Sequence, residues 1–236
     1  GAQTLLSHGA TGKQVSLAAD VANVSLSVDG RYVLFQANDA TRLGNDGIAF
    51  TDAAPLASDW FATDIATGEI RLLTRSGADA TVPTGASVSL LGTTTSGHAV
   101  FSAADVTAFG FTDDDAARAD LFTVDLATGA ITLINRSFAD ATATVTSPVT
   151  FVDVIRDYVY FTIPDATQLG ATADYDTDVA DLYRMNASTG VLELLSARPD
   201  DPSAALHASY RNGSLKVSGV QGVQGFQGTI GEEGIQ

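Results

Sequence analysis

Across 236 residues, 28 Asp and Glu outnumber 12 Lys and Arg. The formal net charge of −16 sets up a field that repels phosphate backbones and anionic lipid heads, which excludes nucleic acid and membrane surfaces as first-choice partners. Cysteine is absent, so disulfides, thiolate nucleophiles and zinc-thiolate centres are excluded together. The 45% hydrophobic content supports one sizeable core, and no apolar run approaches the roughly 18 residues of a membrane helix.

In chain order, Thr4-Leu5-Leu6-Ser7 matches the ends of later segments, Leu72-Leu73-Thr74 and Leu194-Leu195-Ser196, so the sequence opens on what reads as the last strand of a repeat. Val24-Ser25-Leu26-Ser27 alternates into Asp29-Gly30, a hairpin signal, and Tyr32-Val33-Leu34-Phe35 follows as the next strand. The stretch from Asp59-Trp60-Phe61 through the corner Ala66-Thr67-Gly68 to Leu73 recurs from Asp120 and again from Asp181 at a constant step of 61 residues. Apolar and polar residues alternate on both sides of each corner, the two-residue period of half-buried strands joined by a hairpin. Val88-Ser89-Leu90 and Ala99-Val100-Phe101 supply the first two strands of the second copy, with a turn at Ser96-Gly97. In the third, Val149 to Val152 and Tyr158 to Phe161 flank a turn at Arg156-Asp157. Matching loops follow the second strand of each copy at Asp39 to Gly44, Asp105 to Gly110 and Asp165 to Gly170.

A fixed period of this length with four strands per copy predicts an all-β fold of antiparallel β-propeller blades: three full repeats, and a fourth blade shared between the termini. Ser27 through Phe35, followed by Asp59-Trp60-Phe61, Asp64 and Gly68, resembles the TolB-like β-propeller repeat of exported bacterial proteins, over roughly residues 15 to 197. The resemblance implies an interaction scaffold in the periplasm, at the cell surface or outside the cell, and binding rather than catalysis. Only the first copy carries the Asp29-Gly30-Arg31 turn.

After Ala197 the pattern restarts with Leu206 to Tyr210, a turn at Arg211-Asn212-Gly213, and Ser214 to Val217, but the signature hairpin does not follow. Glycine instead falls at 219, 222, 225, 228, 231 and 234. The expected division is a propeller over residues 1–218 and a collagen-like Gly-X-Y tail over 219–236 that brings chains together as trimers, because only glycine fits where three chains share an axis.

The candidate metal centre is acidic: Asp113, Asp114 and Asp115 with Asp120, and Asp174, Asp176 and Asp178 with Asp181, together with the sparser set Asp46, Asp52 and Asp59. Carboxylates spaced along an irregular loop, with one more at the strand start, could supply the six to eight oxygens of Ca2+. The alternative is a solvated acidic loop in which these side chains bond their own turns. His8, His98 and His207 occupy unrelated positions, and neither a Gly-x-Ser-x-Gly elbow nor a phosphate-binding loop is present. These features predict no catalytic residues. The leading expectation is a non-enzymatic exported or cell-surface module that engages a protein or glycan, or its own copies. Its rivals are a subunit of an extracellular filament or stalk and a propeller-type glycan hydrolase or lyase.

Overall fold

The computed structural model describes residues 5–9, 12–16, 20–45, 48–51, 58–114, 118–174, 179–197 and 201–205, and among these it is all-β with no α-helix. The expectations for Asp46, Asp52, Asp115, Asp176, Asp178, His207, the Leu206 to Val217 segment and the Gly-X-Y tract fall outside the described residues.

A short hairpin of β1 (His8–Gly9) and β2 (Gly12–Ser16) comes first. Blade 1 follows as β3 (Val21–Leu26) and β4 (Tyr32–Ala37), then a two-stranded ribbon of β5 (Gly44–Asn45) and β6 (Ile48–Ala49), then β7 (Asp59–Asp64) and β8 (Ile70–Leu72). Blade 2 is β9 (Val88–Thr93), β10 (His98–Ala103), β11 (Asp120–Asp125) and β12 (Ile131–Leu133). Blade 3 is β13 (Thr150–Ile155), β14 (Tyr158–Ile163), β15 (Asp181–Asn186) and β16 (Leu192–Leu194). Each blade is an antiparallel meander in which strands one to four lie side by side in chain order. The Asp-Trp-Phe type of strand is therefore third and the Leu-Leu strand fourth.

The blades stack face to face. Tyr32, Leu34, Trp60 and Leu73 of blade 1 share a core with Phe101 and Phe122 of blade 2. Val100, Leu121 and Ile134 on the opposite face of blade 2 share the next core with Phe161 and Tyr183 of blade 3. Directly opposed aromatic residues recur on the two central strands: Phe35 with Phe61, Phe101 with Phe122, and Phe161 with Tyr183, with ring centroids 5.6–5.9 Å apart. Stacking on both faces corrects one expectation. β7 is buried at all six positions rather than at alternate ones, because a strand covered on both sides has no solvent face on which to keep its polar residues.

Contacts between successive blades repeat as well. Arg75, just past β8, donates from Nε (2.9 Å) and Nη2 (2.7 Å) to the Gly129 carbonyl in the β11–β12 corner. Arg136, 61 residues later, donates from Nη2 to the Gly190 carbonyl at 2.6 Å. Ahead of blade 1 the same acceptor position, the Gly68 carbonyl, lies 2.7 Å from His8 Nε2, and the Leu6 carbonyl accepts from Thr63 Oγ1 at 2.7 Å. Leu5-Leu6-Ser7-His8 thus occupies, against blade 1, the place that Leu72-Leu73-Thr74-Arg75 occupies against blade 2. At the far end the repeat position is Ala197.

The loop after each second strand is a single 3-10 turn: Ala40–Arg42, Thr107–Phe109 and Ala166–Leu169. Each loop sends two apolar side chains into a core: Ala40 and Leu43, Val106 and Phe109, and Ala166 and Leu169. The loop leaving one blade hydrogen-bonds to the 3-10 turn of the next, Gly77 N–H to the Ala108 carbonyl and Phe138 N–H to the Gln168 carbonyl. Gly77 is needed there, since a Cβ on it would stand 2.4 Å from the Phe109 carbonyl oxygen.

Candidate functional site

Of the acidic side chains on which a metal centre was expected, those of Asp59, Asp120, Asp174 and Asp181 make hydrogen bonds within the fold. Asp59, Asp120 and Asp181 open the third strand of each blade and are buried. Each carboxylate accepts from the polar residue two positions past the fourth strand: Thr74 Oγ1 at 3.0 Å, Asn135 Nδ2 at 2.6 Å and Ser196 Oγ at 2.7 Å. That residue in turn accepts the amide of Trp60, Leu121 or Leu182. The result is a clamp between strands three and four, repeated once per blade. Asp174 accepts from the Ala166 amide at 2.8 Å and so steadies the third 3-10 turn. Asp113 and Asp114 precede β11, with the Asp114 amide bonded to Thr144 Oγ1 at 3.0 Å. Among the described residues no three acidic or histidine side chains are placed to hold a metal ion.

A second family of carboxylates forms Asp-x-Thr or Asp-x-Ser turns. Asp39 and Asp165 cap the first and third 3-10 turns, Asp105 accepts the Thr107 amide at the start of the second, and Asp79, Asp140 and Asp201 shape the loops between blades. In each, one carboxylate oxygen accepts both the amide and the hydroxyl two residues on. The hydroxyl first and the amide second hold the Asp105 and Asp140 carboxyls below the usual range; at Asp79 the amide dominates. A third set, Asp64, Asp125 and Asn186, closes the Thr-Gly corners through two amides each.

One group of polar side chains departs from the repeat. In blade 1 the Asp29-Gly30 turn, with Gly30 at φ +72°, is locked by the Arg31 amide donating to Asp29 Oδ1 (3.0 Å) and the Tyr32 amide donating to Ser27 Oγ (2.9 Å). This projects Arg31 and Tyr32 towards the corner of blade 2. They line a cavity of about 40 Å³ with Asp64, Glu69, Arg71 and Leu126. Arg31 donates to Asp64 Oδ2 from Nε (3.0 Å) and Nη2 (2.9 Å), and its guanidinium carbon lies 5.0 Å from the Tyr32 ring centroid. Arg71 donates from Nε to the Leu126 carbonyl (3.2 Å) and from Nη2 to Glu69 Oε1 (3.1 Å).

Burial pushes Asp64 up, but the Arg31 hydrogen bond and the amides of Ala66 and Thr67 outweigh it and leave the carboxyl below its usual range. Tyr32 is 4% exposed, and its Oη has no hydrogen-bond partner among the described residues. Burial raises the pKa of this hydroxyl, so it stands as a neutral donor. Blades 2 and 3 have His98 and Tyr158 at the register of Tyr32, and Thr132 and Glu193 at that of Arg71. This cavity escaped the sequence reading because its walls come from two blades; its one visible trace was the Asp-Gly-Arg turn confined to the first copy.

No protein-family model matches the chain, and no curated protein matches it. Among solved structures it is similar to puromycin hydrolase at 16% identity and a TM-score of 0.37, covering 86% of this chain and 24% of that one. It is also similar to TolB from Acinetobacter baumannii at 13% identity and a TM-score of 0.31, covering 84% and 35%. A prolyl endopeptidase aligns at 14% identity and 0.31, covering 75% and 26%. The chain thus spans between 24% and 35% of the length of these structures.

Proposed function

We propose that this chain is a non-enzymatic, exported or cell-surface β-propeller module that binds a protein or glycan and assembles further through its Gly-X-Y tail. The observation that carries the reading is the division of labour among polar residues. The three Asp clamps and the Asp-x-Thr or Asp-x-Ser turns recur in every blade and are committed to strand ends and turns. A scaffold built in this way presents a rigid surface for recognition. In this reading the fourth blade is composite, with Leu5 to His8 as its outer strand and Leu206 to Val217 as its inner two. What supports it is the contrast between inner strands. Leu90 of β9 and Phe151 and Val154 of β13 are packed into the inter-blade cores, whereas Val24 and Leu26 of blade 1 are 64% and 58% exposed.

The test is a binding screen against glycans and extracellular proteins, run beside a hydrolysis screen on the same glycans and on peptides. Saturable binding without turnover is expected. Turnover that tracks the purified chain overturns the reading in favour of a propeller hydrolase.

A further inference from the structure

We infer that Leu5 to Ser7 is a strand acceptor: it receives, as the third strand of its blade, an extended segment of a partner polypeptide that carries Asp, a large apolar residue and an aromatic residue in succession. The inference rests on the placement of Leu5 to His8 as a fourth strand in the reading above, and goes beyond it by naming what that strand pairs with. Three complete blades of the same chain supply the pattern. In each, the amide of Leu73, Ile134 or Leu195, just past the fourth strand, donates to the carbonyl of Trp60, Leu121 or Leu182 at 2.8 Å. The next residue, Thr74, Asn135 or Ser196, accepts the amide of that same third-strand residue and donates to the Asp before it. Leu6 and Ser7 stand at these two positions. Ser7 repeats Ser196, whose hydroxyl makes both bonds, at 3.1 Å from the amide and 2.7 Å from the carboxylate.

The segment is seated on blade 1 while its pairing groups stay unused. His8 Nε2 and the Leu6 carbonyl hold it to Gly68 and Thr63. Among the described residues, neither the Leu6 amide nor the Ser7 hydroxyl has a hydrogen-bond partner, and Leu5, Leu6 and Ser7 are only half-buried. A strand edge left unmet in this way is a template for a strand from another chain. The pattern also fixes the chemistry of that strand. Its Asp accepts the Ser7 hydroxyl, and its middle residue lies against blade 1, as Trp60 and Leu121 lie against the blades that follow them. Its aromatic residue takes the place of Phe61, Phe122 and Tyr183. This chain has no such segment to spare. Asp-Trp-Phe, Asp-Leu-Phe and Asp-Leu-Tyr are the three of that form in its 236 residues, and each is paired on both sides within its own blade. A second copy would have to break a blade to donate one. Beyond Asp201 the acidic residues are Glu232 and Glu233, set between glycines with no aromatic residue after them.

The experiment is a fluorescence-anisotropy titration of the full chain against a labelled peptide copying residues 180–189, which contains Asp181-Leu182-Tyr183. Saturable binding is expected, with none to a scrambled peptide. Changing the peptide by Asp181→Ala is expected to weaken binding about tenfold, the loss of a hydrogen bond to a charged group. Ser7→Ala in the chain is expected to weaken it similarly, and the two changes together to cost little more than either alone. Absence of saturable binding, equal binding of the scrambled peptide, or full additivity of the two changes overturns the proposal. Tighter binding after removal of residues 219–236 would show that the tail fills the slot, and self-association reversed by the peptide would show that a second copy does; either result overturns the assignment to a partner. Hydrogen exchange of residues 206–217 scores the composite blade separately: exchange at unfolded rates there sinks its inner strands, whereas the peptide titration reads the Ser7 site itself.

Discussion

At the scale of single residues, the aspartates divide by what their oxygens accept. Asp120 is 1% exposed and takes a 2.6 Å hydrogen bond from Asn135. Asp120→Ala strands the amide of Asn135 and is expected to cost about 2–3 kcal/mol, read as a lower urea midpoint with unchanged slope. Asp125 only closes a corner, a task that Asn186 performs in blade 3 with the same two amides. Asp125→Asn is accordingly expected to fall within about 0.5 kcal/mol of wild type. Removal of one carboxylate in each case therefore gives opposite outcomes, decided by burial and partner.

The turn aspartates also predict an acid limit. Asp39, Asp79, Asp105, Asp140 and Asp165 all lie below their usual range in the fold. A folded value below the unfolded one favours the fold above the unfolded carboxyl pKa, about 3.9, and that contribution is lost as the pH falls through the depressed values. Asp79, Asp105 and Asp140 are exposed and Asp39 and Asp165 half-buried, so each contributes little. Protonation also relieves the repulsion of a chain at −16. The expected profile is a melting temperature that holds from pH 7 to about 5 and drops below about 4. A steady rise down to pH 3 would show that relief of repulsion wins.

At the scale of elements, each blade is tied to the next by a cation just past its fourth strand. Arg136 donates to the Gly190 carbonyl in the corner between β15 and β16, and Arg75 does the same for blade 2. A hydrogen bond from a charged donor contributes about 1.5–3 kcal/mol when buried and less here, where the side chain is partly open to water. Arg136→Ala is expected to cost about 1 kcal/mol and to speed hydrogen exchange in β15 and β16 while leaving β7 and β8 unchanged. Uniform acceleration across all three blades would mean that they unfold as one unit and that the arginine is no local latch.

At the scale of the whole molecule, the amino-terminal segment stands where a preceding blade would. His8 and Leu6 make hydrogen bonds of 2.7 Å each to blade 1, beside the core of Phe35, Phe61, Ile70 and Leu72. Deleting residues 1 to 10 removes both. The expected cost of about 2 kcal/mol lowers the melting temperature of a chain this size by about 4–8 °C. An unchanged melting curve would show that these ends do not brace the stack.

The order of elements, the strand count per repeat and the Thr-Gly corners were legible in the sequence, because hydrophobic alternation and turn chemistry act over a few residues and recur at a fixed step. The same locality hid the rest. Both-face burial of β7 depends on what stacks against the strand, which its own alternation does not encode. The Asp120 and Asp181 carboxylates could be read from sequence as turn acids or as metal ligands, and only the pairing of strands three and four set Asn135 and Ser196 beside them. His8 looked isolated until packing placed it on Gly68, 60 residues away. The cavity at Tyr32 needed two blades in contact, since Leu126 and Ala127 of blade 2 close a wall otherwise built by blade 1. Short-range chemistry thus wrote the repeat into the chain, while the partners of its buried polar groups were decided by tertiary packing between residues far apart in sequence.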